Sequence, residues 1–396
     1  MAALQPLPPL AENMAEQWML RPDIAFLNHG SFGAVSRKVF EIQNQWRKRI
    51  EAEPVEFLGR ENDALVAEVK RHVGDWLHMR PQDFGLMTNA TEGVNSYLRS
   101  LSLKPGDELL TTNHVYNAVR QTMRYLASIS GAVYREIAIP TPITSDEQIV
   151  TAIAANLNAS TRLLVIDHVT SPTALIFPLK TILAVCRDRL VDVLVDGAHA
   201  PAMLELDIES LQPAAYAGNL HKWACAPKGS AFLWVRPDRQ TQVHPCTVSH
   251  YWNEGFAREF DWQGTRDVSA WLTIPNALQY MNAIGWPKIR EHNHRLCMWA
   301  QSMLCQRWNV QPIAPMDGSM TGSMATIALP GRLAKLPPEA GFALHKALYH
   351  GDQIEVPLMR WQDELHVRIS VQVYNKPQDY HRLADAILRR QREIGA

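Results

Sequence analysis

The chain has 396 residues, 46% hydrophobic and 20% charged, a length that suggests two or three domains of an ordinary globular protein. Its 39 Lys and Arg against 40 Asp and Glu leave a formal charge of −1, so no basic surface points to nucleic acid or to an anionic membrane. The first twenty residues lack the basic start and long apolar core of a secretory signal, and no later run reaches membrane-spanning length.

The Pro-rich opening (residues 4–10) reads as an extended arm over residues 1–20. A short strand at 24–27 runs into Asn28-His29-Gly30-Ser31-Phe32-Gly33, read as a sharp loop with exposed backbone N–H groups. Helical spacing covers 36–49 and 61–77. Thr88 to Asn95 follows a short apolar stretch and opens a helix, a place where free amides and the helix dipole favour a phosphate. Taken alone it reads as a plain Thr/Asn helix cap with Glu in the first turn. Strands at 108–112, 163–168, 193–195 and 231–235 end in polar residues and alternate with helices from 117 and over 179–189. That rhythm predicts a doubly wound, mainly parallel α/β sheet with its ligand at the carboxyl ends of the strands. A helical stretch from 269 leads to a second, smaller α+β region. It holds strands near 324–329, 354–356 and 365–370, a helix near 342–349, and an amphipathic helix from 377. The expected division is an arm (1–20), a large domain (21–268), and a linker helix with a small C-terminal domain (269–396).

At the centre lies Val191 to Gly229. Val193-Leu194-Val195 ends on Asp196, His199 follows, and 26 residues after the Asp comes Lys222 in His221-Lys222-Trp223. A strand-end carboxylate and a lysine on a small-residue turn suit pyridoxal 5'-phosphate (PLP), which needs a lysine for its aldehyde and an acid for its pyridine nitrogen. Each half alone reads as a helix cap or a surface pair.

The segments LNHGSFG (27–33), TNATEGVN (88–95), VDGAHAPA (195–202), AGNLHKW (217–223), FDWQGTRD (260–267) and VRIS with YN (367–375) occur in order. Together they resemble the fold-type I PLP enzymes of aminotransferase class V, and within them the isopenicillin N epimerase group. The resemblance covers residue 20 to the end. It implies that Lys222 attaches to the cofactor and later moves the Cα proton. Asp196 would pair with the pyridine nitrogen, His199 would touch the ring oxygen, and Tyr116 would stack on the ring. Ala90, Thr91, Asn219 and His221 would hold the phosphate, joined by Gly264 and Thr265 of a second subunit in a homodimer with shared sites. Arg368 would clamp the carboxylate of an amino-acid-type substrate, with Asn28, His29 and Ser171 nearby.

The expected reaction is epimerisation at Cα, with Lys222 on one face and Tyr116, His168 or Ser171 as second base. A C–S lyase and an aminotransferase share the first step, and a non-catalytic PLP-binding relative is the reading outside enzymes. Cysteine desulfurase chemistry is disfavoured because no cysteine follows Cys305. The five cysteines, an odd number without CxxC pairing, argue against a disulfide frame or a metal site and for a reduced, cytoplasmic protein.

Overall fold

A computed structural model describes residue 10 and residues 13–395; residues 4–9 of the Pro-rich stretch and just over half of the expected arm lie outside them. Among the described residues, twelve strands occur in chain order. They are β1 (Ala25–Phe26), β2 (Phe84–Met87), β3 (Glu108–Thr112), β4 (Val133–Ile137), β5 (Thr161–Asp167) and β6 (Asp192–Asp196), then β7 (Ala215–Asn219), β8 (Ala231–Val235), β9 (Met324–Ala328), β10 (Ile354–Glu355), β11 (Leu358–Trp361) and β12 (Glu364–Ser370). Seven form one sheet in the order β2-β8-β7-β6-β5-β3-β4. All neighbours are parallel except β8, which is antiparallel to both β2 and β7. This is the doubly wound, mainly parallel α/β sheet expected from the sequence.

Period-two alternation explains why the central strands read as unbroken apolar runs. Leu164, Ile166, Val193 and Val195 enter the core on one face, while Leu163, Val165 and Leu194 enter the core on the other. A parallel sheet covered by helices on both faces demands this. A third core lies under the antiparallel sheet β11-β12-β9, packed by the helices Trp286–Trp308 and Pro377–Gly395. β1 pairs with β10, so the start of the chain crosses to the side built by its end. Trp18, inside the expected arm, is buried against Tyr280 and Tyr374.

Among the elements that escaped the sequence reading, four did so for identifiable reasons. β4 is a half-exposed edge strand carrying Arg135 and Glu136, and β7 is built from small residues whose pairing comes from its neighbours. The helix Asp146–Asn156 presents only a weak stripe, with Ile149 and Ile153 buried. The helix Trp286–Trp308 buries His292, Asn293 and Gln301 beside its apolar residues, which blurs any helical period. The expected loop after β1 is instead one helical turn, His29–Phe32, closed by Gly33 at φ +67°. A Cβ on Gly33 would lie 1.8 Å from the His221 carbonyl oxygen, so only glycine lets this turn press against the lysine segment.

Candidate active site

The carboxyl ends of β2, β3, β5, β6 and β7 converge on a cavity of about 510 Å³ lined by Thr91, Tyr116, Asp196, His199, Asn219 and Lys222, among others. Lys222 sits on a tight segment between β7 and β8, anchored where the Leu220 and His221 N–H groups both donate to the Ser230 carbonyl. Its Nζ lies 3.3 Å from His199 Nε2. Burial pushes the lysine down to about 7, with Arg368 adding to the effect and Asp196 and Asp167 opposing it. Burial also holds His199 well below the ordinary imidazole range, so its ring is neutral. His199 Nδ1 accepts from the Trp223 indole N–H at 3.4 Å, which leaves the Nε2 proton directed at the lysine nitrogen. Near pH 7 this lysine has free amine available, as a nucleophile or base requires.

Asp196 is buried, and its Oδ1 accepts the Ala198 N–H at 3.0 Å. Burial raises its pKa, while Ala198 and Lys222 pull it back. Next to it, Asp167 ends β5 in register with Asp196 and lines the same cavity. Sequence reading placed Asp167 at a strand end but gave it no role. The signal was there: LLVID ends β5 as VLVD ends β6.

At the cavity's other end, the helix Ala90–Arg99 is capped by Asn89, whose side chain accepts the Glu92 N–H at 2.9 Å. Glu92 in turn takes the Thr88 N–H and hydroxyl at 2.8 and 2.6 Å. One expected phosphate donor is already occupied: the Ala90 N–H is bound to Asn219 Oδ1 at 2.8 Å. The Thr91 N–H and hydroxyl take part in none of these bonds. Asn219 therefore positions the helix start, while Thr91 and the His221 ring face the space. His221, lowered to about 4 chiefly by burial, is neutral, and its Nδ1 lies 3.1 Å from the Ser230 carbonyl.

The side expected to meet substrate joins three distant parts of the chain. Arg368 on β12 donates from one guanidinium nitrogen to the Ser171 carbonyl and hydroxyl, at 2.7 and 3.0 Å, and from another to Ser31 Oγ at 3.2 Å. It stands one layer behind the cavity, whose lining includes Ser31 and Ser171. Its Nε has no partner among the described residues, and burial lowers its pKa to about 10. Tyr116 lines the cavity and remains 42% exposed.

Other sequence expectations fall outside the cavity. Asn28 donates to Glu355 at 2.8 Å and lines a neighbouring pocket instead. His29 is fully buried beneath the lysine, bound to the Lys222 carbonyl at 2.9 Å and the Tyr374 hydroxyl at 2.7 Å. The turn that replaces the expected loop points it inward, so it supports the lysine backbone. His168 Nδ1 lies 2.9 Å from the Tyr216 hydroxyl, and His168 does not line the cavity. Gly264 and Thr265 do not line the cavity of their own chain.

The aminotransferase class-V family model matches residues 37–383, and the chain belongs to that family. It is 30% identical to a probable chloroplastic L-cysteine desulfhydrase of Arabidopsis thaliana, covering 92% of this chain and 82% of that one. It is also 30% identical to isopenicillin N epimerase of Amycolatopsis lactamdurans, covering 95% and 97%. Among solved structures, a cystine C–S lyase superposes with TM-score 0.78 at 20% identity over 92% and 97% of the two chains. The apo cysteine desulfurase of Thermococcus onnurineus NA1 gives 0.79 at 16% identity over 97% and 98%. The protein is a PLP-dependent enzyme. Its residues fit the cofactor: a cavity of ligand size holds a lysine brought to about 7 beside a buried carboxylate. Among the described residues no helix is long and apolar enough to cross a membrane.

Proposed function

We propose that this enzyme is a C–S lyase that acts on cysteine or a cysteine-type amino acid by α,β-elimination. The observation that carries this reading is that the proton-transfer apparatus stands together, Lys222 and His199 at 3.3 Å. Elimination needs one base, whereas epimerisation needs a donor on the opposite face or a lysine that moves between the faces. Of the three residues expected as that donor, His168 points at Tyr216 and Ser171 is bound to Arg368. No cysteine lines the cavity either, so a persulfide-forming desulfurase lacks its thiol. The desulfhydrase relatives at similar identity support the same class.

In this reading Arg368, with Ser171 and Ser31 giving way, holds the substrate carboxylate. Asp196 keeps the pyridine nitrogen protonated, and Thr91 and His221 face the phosphate. The bound cofactor supplies an electron sink for the pair left at Cα. Neutral Lys222 takes the α-proton, the Cβ–S bond breaks, and sulfur leaves as thiolate and is protonated. The released 2-aminoacrylate hydrolyses, so cysteine and water give pyruvate, ammonia and hydrogen sulfide.

Epimerisation keeps a place as the second reading because Tyr116 lines the cavity with its side chain free to reach a substrate. L-Cysteine in deuterated water distinguishes the two. Sulfide and pyruvate in equal amounts support the lyase. Deuterium in both enantiomers of recovered substrate, without sulfide, refutes it.

We also propose a homodimer. Gly264 and Thr265 stand away from their own cavity, and Val248 and Trp252 are exposed on the segment before them. A second copy would cover these residues and bring Thr265 to its neighbour's phosphate end. Sedimentation that gives a monomer with full cofactor retention would refute it.

A further inference from the structure

β5 and β6 end on the same residue type at the same level. Asp167 and Asp196 are register partners on parallel neighbouring strands, whose backbones run about 4.8 Å apart with in-register side chains on one face. Both carboxyls are buried and both line the cavity. Their bonding differs. Asp196 receives the Ala198 N–H, whereas Asp167 Oδ2 is sealed from solvent and has no hydrogen-bond partner among the described residues.

Two ionised carboxylates held this close repel, and a buried carboxylate oxygen without a donor carries a desolvation cost. One proton shared by the pair relieves both. The groups facing Asp167 do not supply another remedy. The Tyr116 backbone N–H reaches the carboxyl, and Arg120 acts on it from the helix Asn117–Ser130. Arg120 is itself paired with Glu136 of β4 at 2.9 Å. Lys222 is partly neutral near pH 7, and Tyr216 of β7 and His168 bond each other. Burial and the Asp196 charge together raise the Asp167 carboxyl well above the usual carboxylate range.

We propose that Asp167 is a positioning residue that keeps its proton in the working enzyme and donates it as a hydrogen bond to Asp196. The ionised partner facing the cofactor's pyridine nitrogen is thereby fixed as Asp196. The inference concerns cofactor binding and holds whichever reaction follows at Cα, so its test does not depend on the proposed lyase activity.

The test uses the holoenzyme and reads PLP affinity and infrared absorption. D167N, which keeps a donor of the same shape, should bind PLP within about threefold of the unchanged protein at neutral pH. D167A, which removes the donor, should weaken binding about tenfold. Difference infrared spectra of the unchanged protein against D167N should show a protonated-carboxyl C=O stretch that the variant lacks, a signal a purely structural role would not produce. Thermal midpoints establish that the variants fold. Should D167A fail to fold, D167N and the infrared band decide alone. Equal loss in D167N and D167A, no loss in D167A, or absence of the band would each overturn the proposal.

Discussion

The two walls of the cavity are built differently. The wall proposed to hold the cofactor comes from the ends of neighbouring strands: Asp196 on β6, Asn219 on β7, and Lys222 just beyond it, within 27 residues of chain. The wall proposed to meet substrate joins Ser31 and Ser171 with Arg368 behind them, and the Arg368 bond to Ser31 spans 337 positions. In the first wall the sheet ladder places Asp196 and Asn219, and the Ser230 carbonyl that takes the Leu220 and His221 N–H groups places the lysine segment. The second depends on β12 and the N-terminal turn docking correctly. Loss at the first wall should therefore remove the chemistry, and loss at the second should mainly weaken substrate binding.

The largest effect is expected at Lys222. Lys222→Ala should lower turnover about 10³-fold or more, because the proton-transfer group is gone. It should also abolish the cofactor's lysine-dependent visible band while circular dichroism stays unchanged; substantial residual turnover would contradict the division between the walls. Gly33→Ala tests the contact joining them. The added methyl meets the His221 carbonyl at a backbone angle of +67°, which costs about 1–3 kcal/mol for the conformation alone. A lower thermal midpoint together with weaker PLP retention is expected, and an unchanged midpoint would show that the turn gives way freely.

Arg368→Lys should then separate the walls. Losing the planar fork should raise KM about tenfold or more with a smaller change in kcat. An equal fall in kcat would place Arg368 among the groups that act on the reacting atoms. The smallest effect is in pH. With Lys222 lowered to about 7, its neutral fraction rises about tenfold between pH 6 and 8 and then saturates. The rate at which the apoenzyme takes up PLP should follow that curve. A rate that climbs steadily toward pH 10 would mean an ordinary solvated lysine.

The cofactor wall was largely legible in advance. VLVD followed by GAHA, and HKW on a turn of small residues, are local patterns that each read alone as a cap or a surface pair, and the family resemblance along the chain joined them into an expected cofactor site. Asp167 was legible by the same rule, yet one strand-end acid already satisfied the cofactor's need, and only pairing of β5 with β6 shows that there are two. His29 shows the opposite case. The resemblance implied that it lies near substrate, but one helical turn and Gly33 direct it under the lysine. The amide expected from Ala90 was similarly spent, because Asn219 comes from a strand whose position relative to the helix start no local pattern contains.

By itself the sequence determined the layered α/β architecture and placed Asp196 at a strand end and Lys222 on a turn of small residues after it, since apolar period, turn residues and side-chain type are local properties of the chain. Only the tertiary structure decided which candidates share one cavity, which polar groups are already satisfied, and how far the lysine's proton affinity falls. Burial and hydrogen bonding depend on what packs around a group, and in this protein those neighbours come from segments hundreds of residues away.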